Sequence, residues 1–253
     1  MANYKYRRND YNKRNFFALI IIGILIGIIV SQYYFLNYEQ EKEYVYITSN
    51  HSFSSAEIGL AAIDQDGNGV ITPLIVEVKP GNGKTLTNIE KLLFWVDTQQ
   101  SIQTSKEVAS EYADINVDDI DLTYTVESEA TLVGGPSAGA SLTAATIAAL
   151  ENRKIKNDIL MTGTIEPDGR IGQVGGVLEK AKVAKEVGAK VFLVPEGQST
   201  QTYYGPEESC VRRSNMLFCT TKYKEITVNI GEEANISVIE VANIEEAMKF
   251  LLL

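Results

Sequence analysis

Histidine is almost missing from this sequence: one residue, His51, in a chain of 253. A Ser-His-Asp or Cys-His catalytic arrangement would have to run through that residue, and zinc or di-iron sites built from several histidines are excluded. Two cysteines rule out a four-cysteine zinc site and a mini-domain stapled by several bridges, while allowing one disulfide. Basic residues are also scarce, with 23 Lys and Arg against 33 Asp and Glu for a net charge of −10. After the first fifteen residues no stretch is dense enough in Lys or Arg to draw in a phosphate backbone, so nucleic acid is not expected as a partner. No metal and no organic cofactor is expected either. A chain of this length can bury a core without staples, in one or two domains.

Charge is absent from Phe16 to Leu36, which reads FFALIIIGILIGIIVSQYYFL. About 20 apolar residues cross a ~30 Å hydrocarbon layer as a helix. Lys5, Arg7, Arg8, Lys13 and Arg14 precede the span against the single acid Asp10, and Glu39, Glu41, Lys42 and Glu43 follow it. That asymmetry predicts a cytoplasmic N-terminus and an extracytoplasmic remainder. Tyr33, Tyr34 and Tyr38 stand where amphipathic rings sit at the headgroup level. A cleaved signal peptide is the competing reading, but the apolar stretch is long for one and runs into Ser-Gln-Tyr-Tyr with no Ala-x-Ala site. The expected organisation is a basic cytoplasmic tail (1–15), a transmembrane helix in contact with lipid (16–36), a juxtamembrane connector holding His51 (37–55) and one compact domain (56–253).

Within that domain the pattern is α/β. Gly59 to Ile63 and Val70 to Val78 read as strands around the turn Asp64-Gln-Asp-Gly-Asn-Gly. Asn88 to Glu111 reads as mainly helical and Asp121 to Glu127 as a strand. Ser137 to Leu150 is apolar or small all round and predicts a buried helix. Ile159 to Ile165 and Ile171 to Val174 flank Pro167-Asp-Gly, a hairpin signal. Val177 to Val187 predicts a helix closed by Gly188, Lys190 to Val194 a strand, and Ile244 to Leu252 a terminal helix.

Three motifs invite a function and fail. Gly135-Pro-Ser-Ala-Gly139 matches the nucleophile elbow of α/β-hydrolases, but no histidine follows Ser137. Lys79-Pro-Gly-Asn-Gly-Lys-Thr85 resembles the end of a P-loop, yet Val78 stands where its first glycine belongs. The S-x-x-K tetrapeptide of penicillin-binding proteins does not occur. What remains is a serine at a helix start and a lysine elsewhere as its base. Gly135 and Pro136 let the backbone at Ser137 approach a substrate, and the N–H groups of the following turn suit an oxyanion. A free lysine with a pKa of ~10.4 is a poor base at neutral pH, so a desolvated one is needed. On a helical wheel Val177, Ala181, Ala184 and Val187 form one apolar stripe, and Lys180 falls within it in the first turn after Gly175-Gly176. Burial and the positive helix end both push its pKa down. On pattern alone, a snorkelling Lys180 and a Ser137 that merely begins a buried helix is an equally good account.

GGPSAGAS (Gly134 to Ser141), MTGTI (Met161 to Ile165) and GGVLEKAKVAKEVGAK (Gly175 to Lys190) together resemble the proteolytic domain of Lon proteases. The similarity runs from about Gly59 to Leu252. It implies a serine endopeptidase acting on polypeptides, with Ser137 as nucleophile, Lys180 as general base, Thr162 supporting the lysine, and backbone N–H groups around Gly135 and Ala138 as oxyanion donors. It also implies a homo-oligomer, since such domains typically assemble as rings. ATP-dependent members carry an ATPase module ahead of this domain, and none is legible here, so ATP is not expected. Gly134 and Thr164 depart from the acidic residues of many members and resemble membrane-anchored, ATPase-lacking relatives. The segment at about 196–235 is longer than the family connection, and could be a lid or a plain surface excursion. Its Cys210 and Cys219 are expected to bridge if the domain lies outside the cytoplasm, and inert thiols are the alternative. A catalytically silent peptide-binding or sensing module is the competing function, and a cytoplasmic domain the competing topology.

Overall fold

The computed structural model describes residues 19, 23–28, 30–31, 53–88, 96–126, 135–213 and 216–253. The chain divides into two units, Met1–Glu43 and Tyr44–Leu253. In the first, the described residues between 19 and 31 are helical and exposed. Among the described residues no helix is long and apolar enough to cross a membrane. Most of the expected span at 16–36 lies outside them, as do the tail at 1–15, most of the connector, and His51.

The second unit is built on a seven-stranded sheet in the order β11-β8-β5-β1-β2-β4-β3. β1 (Ser54–Ile63) and β2 (Gly69–Pro80) form the expected antiparallel pair. In the turn between them the Asp64 carboxylate accepts the N–H groups of Asp66 (3.0 Å) and Asn68 (2.8 Å). β1 begins two residues inside the expected connector. Ser54 and Ser55 are ladder partners of Val78 and Glu77, and the Ser54 hydroxyl donates to the Ala149 carbonyl. Small polar residues give no apolar period, so the strand start is silent in the sequence. β3 (Thr85–Asn88), also not foreseen, runs parallel to β4 (Ile120–Val126). β5 (Ile159–Met161), β8 (Val191–Pro195) and β11 (Ser237–Val241) run parallel to β1, so β2 alone is reversed.

Two cores follow from the two-residue alternation of the strands. Ile58 and Leu60 of β1, Ile159 and Met161 of β5, and Leu193 of β8 join one core. It also takes in α1 (Val96–Ala113), α2 (Gly139–Leu150) and α5 (Ile244–Leu251). The intervening Ala61, Leu160, Phe192 and Val194 join the other, under α3 (Val177–Glu186) and α4 (Ile230–Ala234). All twelve residues of α2 are buried, as its composition requires.

One expected strand is divided. Ile159–Met161 belongs to the main sheet, while β6 (Thr164–Ile165) pairs with β7 (Ile171–Gly172) in a separate two-stranded sheet. The break falls at Thr162-Gly163, where the backbone turns to the start of α2. The segment after β8 is a second departure: β9 (Thr200–Arg213) and β10 (Met216–Asn229) form a long antiparallel ribbon, exposed over most of its length. Cys210 and Cys219 face each other in that register and are joined by a disulfide.

The close approach of α2 to β6 depends on Gly139, where a Cβ would stand 2.8 Å from the Ile165 backbone nitrogen. Gly139→Ala is therefore expected to cost about 1–3 kcal/mol of stability, measured as a lower urea midpoint. An unchanged midpoint would contradict the close approach.

Candidate active site

The turn that starts α2 is the first component. Gly135 has φ 112°, a conformation that L side chains rarely adopt, and it feeds a single 3-10 turn at Pro136–Ala138. Proline suits the first turn because its missing N–H would have no intrahelical partner there. Ser137 and Ala138 are half-buried. The Gly139 amide donates to the Pro136 carbonyl and the Ala140 amide to Gly163. The first-turn amides of Ser137 and Ala138 have no acceptor within the helix.

The strand break supplies the second component. Gly163 donates its N–H to the Ser137 carbonyl at 3.0 Å, and the Thr162 hydroxyl donates to the same oxygen at 3.3 Å. Ser141, one turn into α2, donates its hydroxyl to the Met161 carbonyl at 3.1 Å. The serine turn is thus riveted to the end of β5. Thr162 is wholly buried, and its own N–H donates to the Leu193 carbonyl of β8.

Lys180 completes the group. It lies in the first turn and a half of α3, which begins after Gly176 in the left-handed region (φ 66°, ψ 33°). A Cβ at Gly176 would come within 2.8 Å of Ile63, so glycine is required by both conformation and space. Lys180 is 2% exposed, among Val177, Ala181 and Ala184 on the buried face. Its Nζ donates to Thr162 Oγ1 at 3.3 Å. Burial lowers the ammonium from its ordinary 10.5 to about 8. A continuous hydrogen-bonded path therefore runs from Lys180 Nζ through the Thr162 hydroxyl to the backbone of Ser137. Val187, counted in the apolar stripe from the sequence, is 57% exposed instead. The helix ends at Glu186, and Val187 turns away as its cap toward Gly188.

Two residues that the sequence reading passed over hold this arrangement from behind. The Gln198 carboxamide accepts the Val174 N–H at 2.9 Å and donates to the Val174 carbonyl at 2.8 Å. It satisfies both backbone groups as a neighbouring strand would, just ahead of the Gly175-Gly176 turn. Glu240 of β11 accepts the Ser199 N–H at 2.8 Å, and hydrogen bonds from the Ser199 hydroxyl and from the Gly197 and Ser199 N–H groups hold its carboxyl below the usual range. A lone Gln and a lone Glu carry no periodic signal, so neither could be singled out from the sequence. The P-loop likeness is also settled by geometry. Asp121 Oδ1 accepts the N–H groups of Asn82 (2.8 Å) and Lys84 (2.9 Å), so a carboxylate of this chain fills the backbone cradle that a phosphate would need. Among the described residues no cluster of His, Cys, Asp or Glu could hold a metal ion.

A 138-residue stretch is 33% identical to the Lon protease of Desulfatibacillum aliphaticivorans, covering 51% of this chain and 16% of that protein. The archaeal Lon protease of Thermococcus kodakarensis is 28% identical over 176 residues, 68% of this chain and 27% of that protein. The Lon protease of Finegoldia magna is 31% identical over 166 residues, 62% and 20% respectively. The chain thus spans about a sixth to a quarter of the length of these relatives. The model of the Lon protease (S16) C-terminal proteolytic domain matches residues 74–230, a range that contains Ser137, Thr162 and Lys180. The chain belongs to the Lon protease C-terminal proteolytic domain family.

Proposed function

We propose that this chain is a membrane-anchored serine endopeptidase that cleaves unfolded or membrane-associated polypeptides without ATP, using Ser137 as nucleophile and Lys180 as general base. The observation that carries the reading is the burial of Lys180 against Thr162, itself bonded to the carbonyl of Ser137. A lysine near pH 8 is neutral in a useful fraction of molecules at physiological pH. Neutral Lys180 takes the Ser137 proton as Oγ attacks the scissile carbonyl carbon. The amides of Ser137 and Ala138 receive the developing oxyanion. The lysine then returns the proton to the departing amine, leaving an acyl-enzyme that water, deprotonated by the same lysine, hydrolyses. Nothing in that cycle consumes a nucleotide.

The anchor rests on the charge asymmetry around residues 16–36. An extracytoplasmic domain agrees with the Cys210–Cys219 bridge, since disulfides persist in oxidising compartments.

Casein or peptide cleavage by the full chain is expected to fall at least about a thousandfold in Ser137→Ala and in Lys180→Ala. Activity surviving either substitution sinks the dyad, and a wild type inert under all conditions favours the silent binding module. The pH–rate profile should rise through about 8 as Lys180 loses its proton. A profile that is flat from pH 6 to 10 would contradict the base assignment.

The same displacement affects stability. The unfolded chain holds this proton up to about 10.5 and the folded one only to about 8, so the fold bears a penalty of about 3 kcal/mol below pH 8. The penalty fades as pH rises to 10.5. Lys180→Met is expected to raise the melting temperature at pH 6 and to lose that advantage near pH 10.5, and a lower melting temperature at pH 6 would refute it. For orientation, a membrane-impermeant thiol reagent added to intact cells should label Cys210 and Cys219 only after reduction. Labelling confined to lysed cells places the domain in the cytoplasm.

A further inference from the structure

The β1–β2 hairpin closes on the ladder pair Ile63 and Gly69. Two-residue alternation sets this pair, with Ala61 and Ile71, on the face of the sheet that α3 covers. The φ of Gly69 lies outside the left-handed region, unlike that of Gly67 at 85°, so its backbone does not call for glycine. Space does. A Cβ at Gly69 would overlap the Glu179 carbonyl oxygen, and would stand 2.9 Å from the Glu179 carbonyl carbon and 2.8 Å from Val183 Cγ1. Its partner Ile63 fills the space beneath Gly176, 2.8 Å from where a Cβ on that residue would be. The closing pair of the hairpin thus meets α3 at Gly176 and Glu179, which bracket its first turn and lead directly into Lys180.

Of the two partners the hairpin is the stiffer. β1 is paired with β2 along all 10 of its residues, from Ser54 opposite Val78 to Ile63 opposite Gly69. The Asp64 carboxylate locks the turn by accepting the N–H groups of Asp66 and Asn68 and the side-chain amide of Asn68, while the Asp64 N–H donates to the Asn68 carbonyl at 2.9 Å. The bond from the Asn68 N–H does most to hold that carboxyl below its usual range, so the lock stays ionised wherever Lys180 titrates. By contrast α3 starts on a left-handed glycine with no side-chain cap. Bulk added at the contact therefore moves the helix rather than the ladder. The helix has little room to move: the bond from Lys180 Nζ to Thr162 Oγ1 is 3.3 Å long, at the outer end of the range of roughly 2.7–3.2 Å usual for such bonds. A shift of a few tenths of an ångström breaks it.

We propose that Ile63 and Gly69 are positioning residues for Lys180, forming a stop against which the first turn of α3 rests and which sets the distance from Nζ to Thr162. Gln198 fixes the chain ahead of the Gly175-Gly176 turn and the hairpin stops the helix after it, so the lysine is located from both sides of its most deformable segment. The catalytic meaning of the stop rests on Lys180 as general base, whereas the contact itself does not.

The test compares Gly69→Ala with Gly67→Ala in the full chain in detergent. A Cβ at Gly67 meets nothing within 4 Å, but its φ of 85° strains any L residue, so that variant weakens the turn without pressing on α3. Two quantities are read: kcat and KM for casein cleavage, and the titration of Lys180 by NMR of lysine labelled with carbon-13 at Cε, its signal identified by its loss in Lys180→Met. Gly69→Ala is expected to lower kcat at least about tenfold with KM unchanged. It should also move the Lys180 midpoint up from about 8 toward 10.5, as water reaches the displaced ammonium. Gly67→Ala is expected to lower the urea midpoint and to leave kcat and the lysine titration at their wild-type values. A folded Gly69→Ala whose lysine titrates as in the wild type overturns the proposal, and so does a Gly67→Ala that moves the titration as far. Where Gly69→Ala does not fold, Ile63→Ala removes the other contact without adding bulk and is judged by the same titration. A midpoint that moves in Gly69→Ala and not in Gly67→Ala supports the stop even where no form of the chain cleaves casein, and in that case only the assignment of the dyad falls.

Discussion

The structure is organised around one ammonium group removed from water. Lys180 could sit on the solvent side of α3, where Lys182 and Lys185 do, but it faces inward with the alanines. A buried charge in that position needs a polar neighbour, and Thr162 is the group provided. Thr162 can reach it only because β5 stops after Met161 and the chain crosses beneath the start of α2. The crossing in turn fixes the serine turn, through bonds from Gly163 and Thr162 to the Ser137 carbonyl. The buried lysine, the divided strand and the glycine-led helix start are thus joined by one set of hydrogen bonds.

The supports lie behind this centre. Gln198 imitates a strand edge for Val174, and Glu240 caps the backbone at Ser199, so the turn leading into the ribbon is bonded both to β11 and to the loop before Lys180. The end of the sheet where β5 and β8 stop therefore presents Thr162 and the root of the hairpin together. A helix start defined by two glycines would otherwise be free to shift, and a shift there would move the lysine away from its threonine.

The α/β pattern was legible wherever side chains alternated or recurred with helical period. The β1–β2 hairpin, the buried α2 and the helix carrying Lys180 all lie where those patterns put them. Ser137 and Lys180 stood out as candidates because a single histidine left few other bases to weigh, although the pattern alone suited a structural role for both equally well. The division of Ile159 to Ile165 was not legible: all the apolar residues fit one strand, and the break is enforced by tertiary bonds that no local pattern carries. The hairpin was missed for a different reason. Its strands are exposed on both faces, so polar and apolar residues intermix, although Ser214-Asn215 between two runs rich in Thr, Tyr, Val and Phe was an available turn signal. The helix stripe failed only at Val187, where the helix had already ended.

Neither hydrophobic core takes a side chain from the ribbon between Thr200 and Asn229 among the described residues. The body of the domain is thus thermodynamically almost blind to that stretch of thirty residues. Length, charge and tip sequence there can change without removing a side chain from either core. Substitutions at the far end of the ribbon are therefore decoupled from the stability of the sheet and its helices, which separates what that end can contact from what holds Lys180 and Thr162 in place.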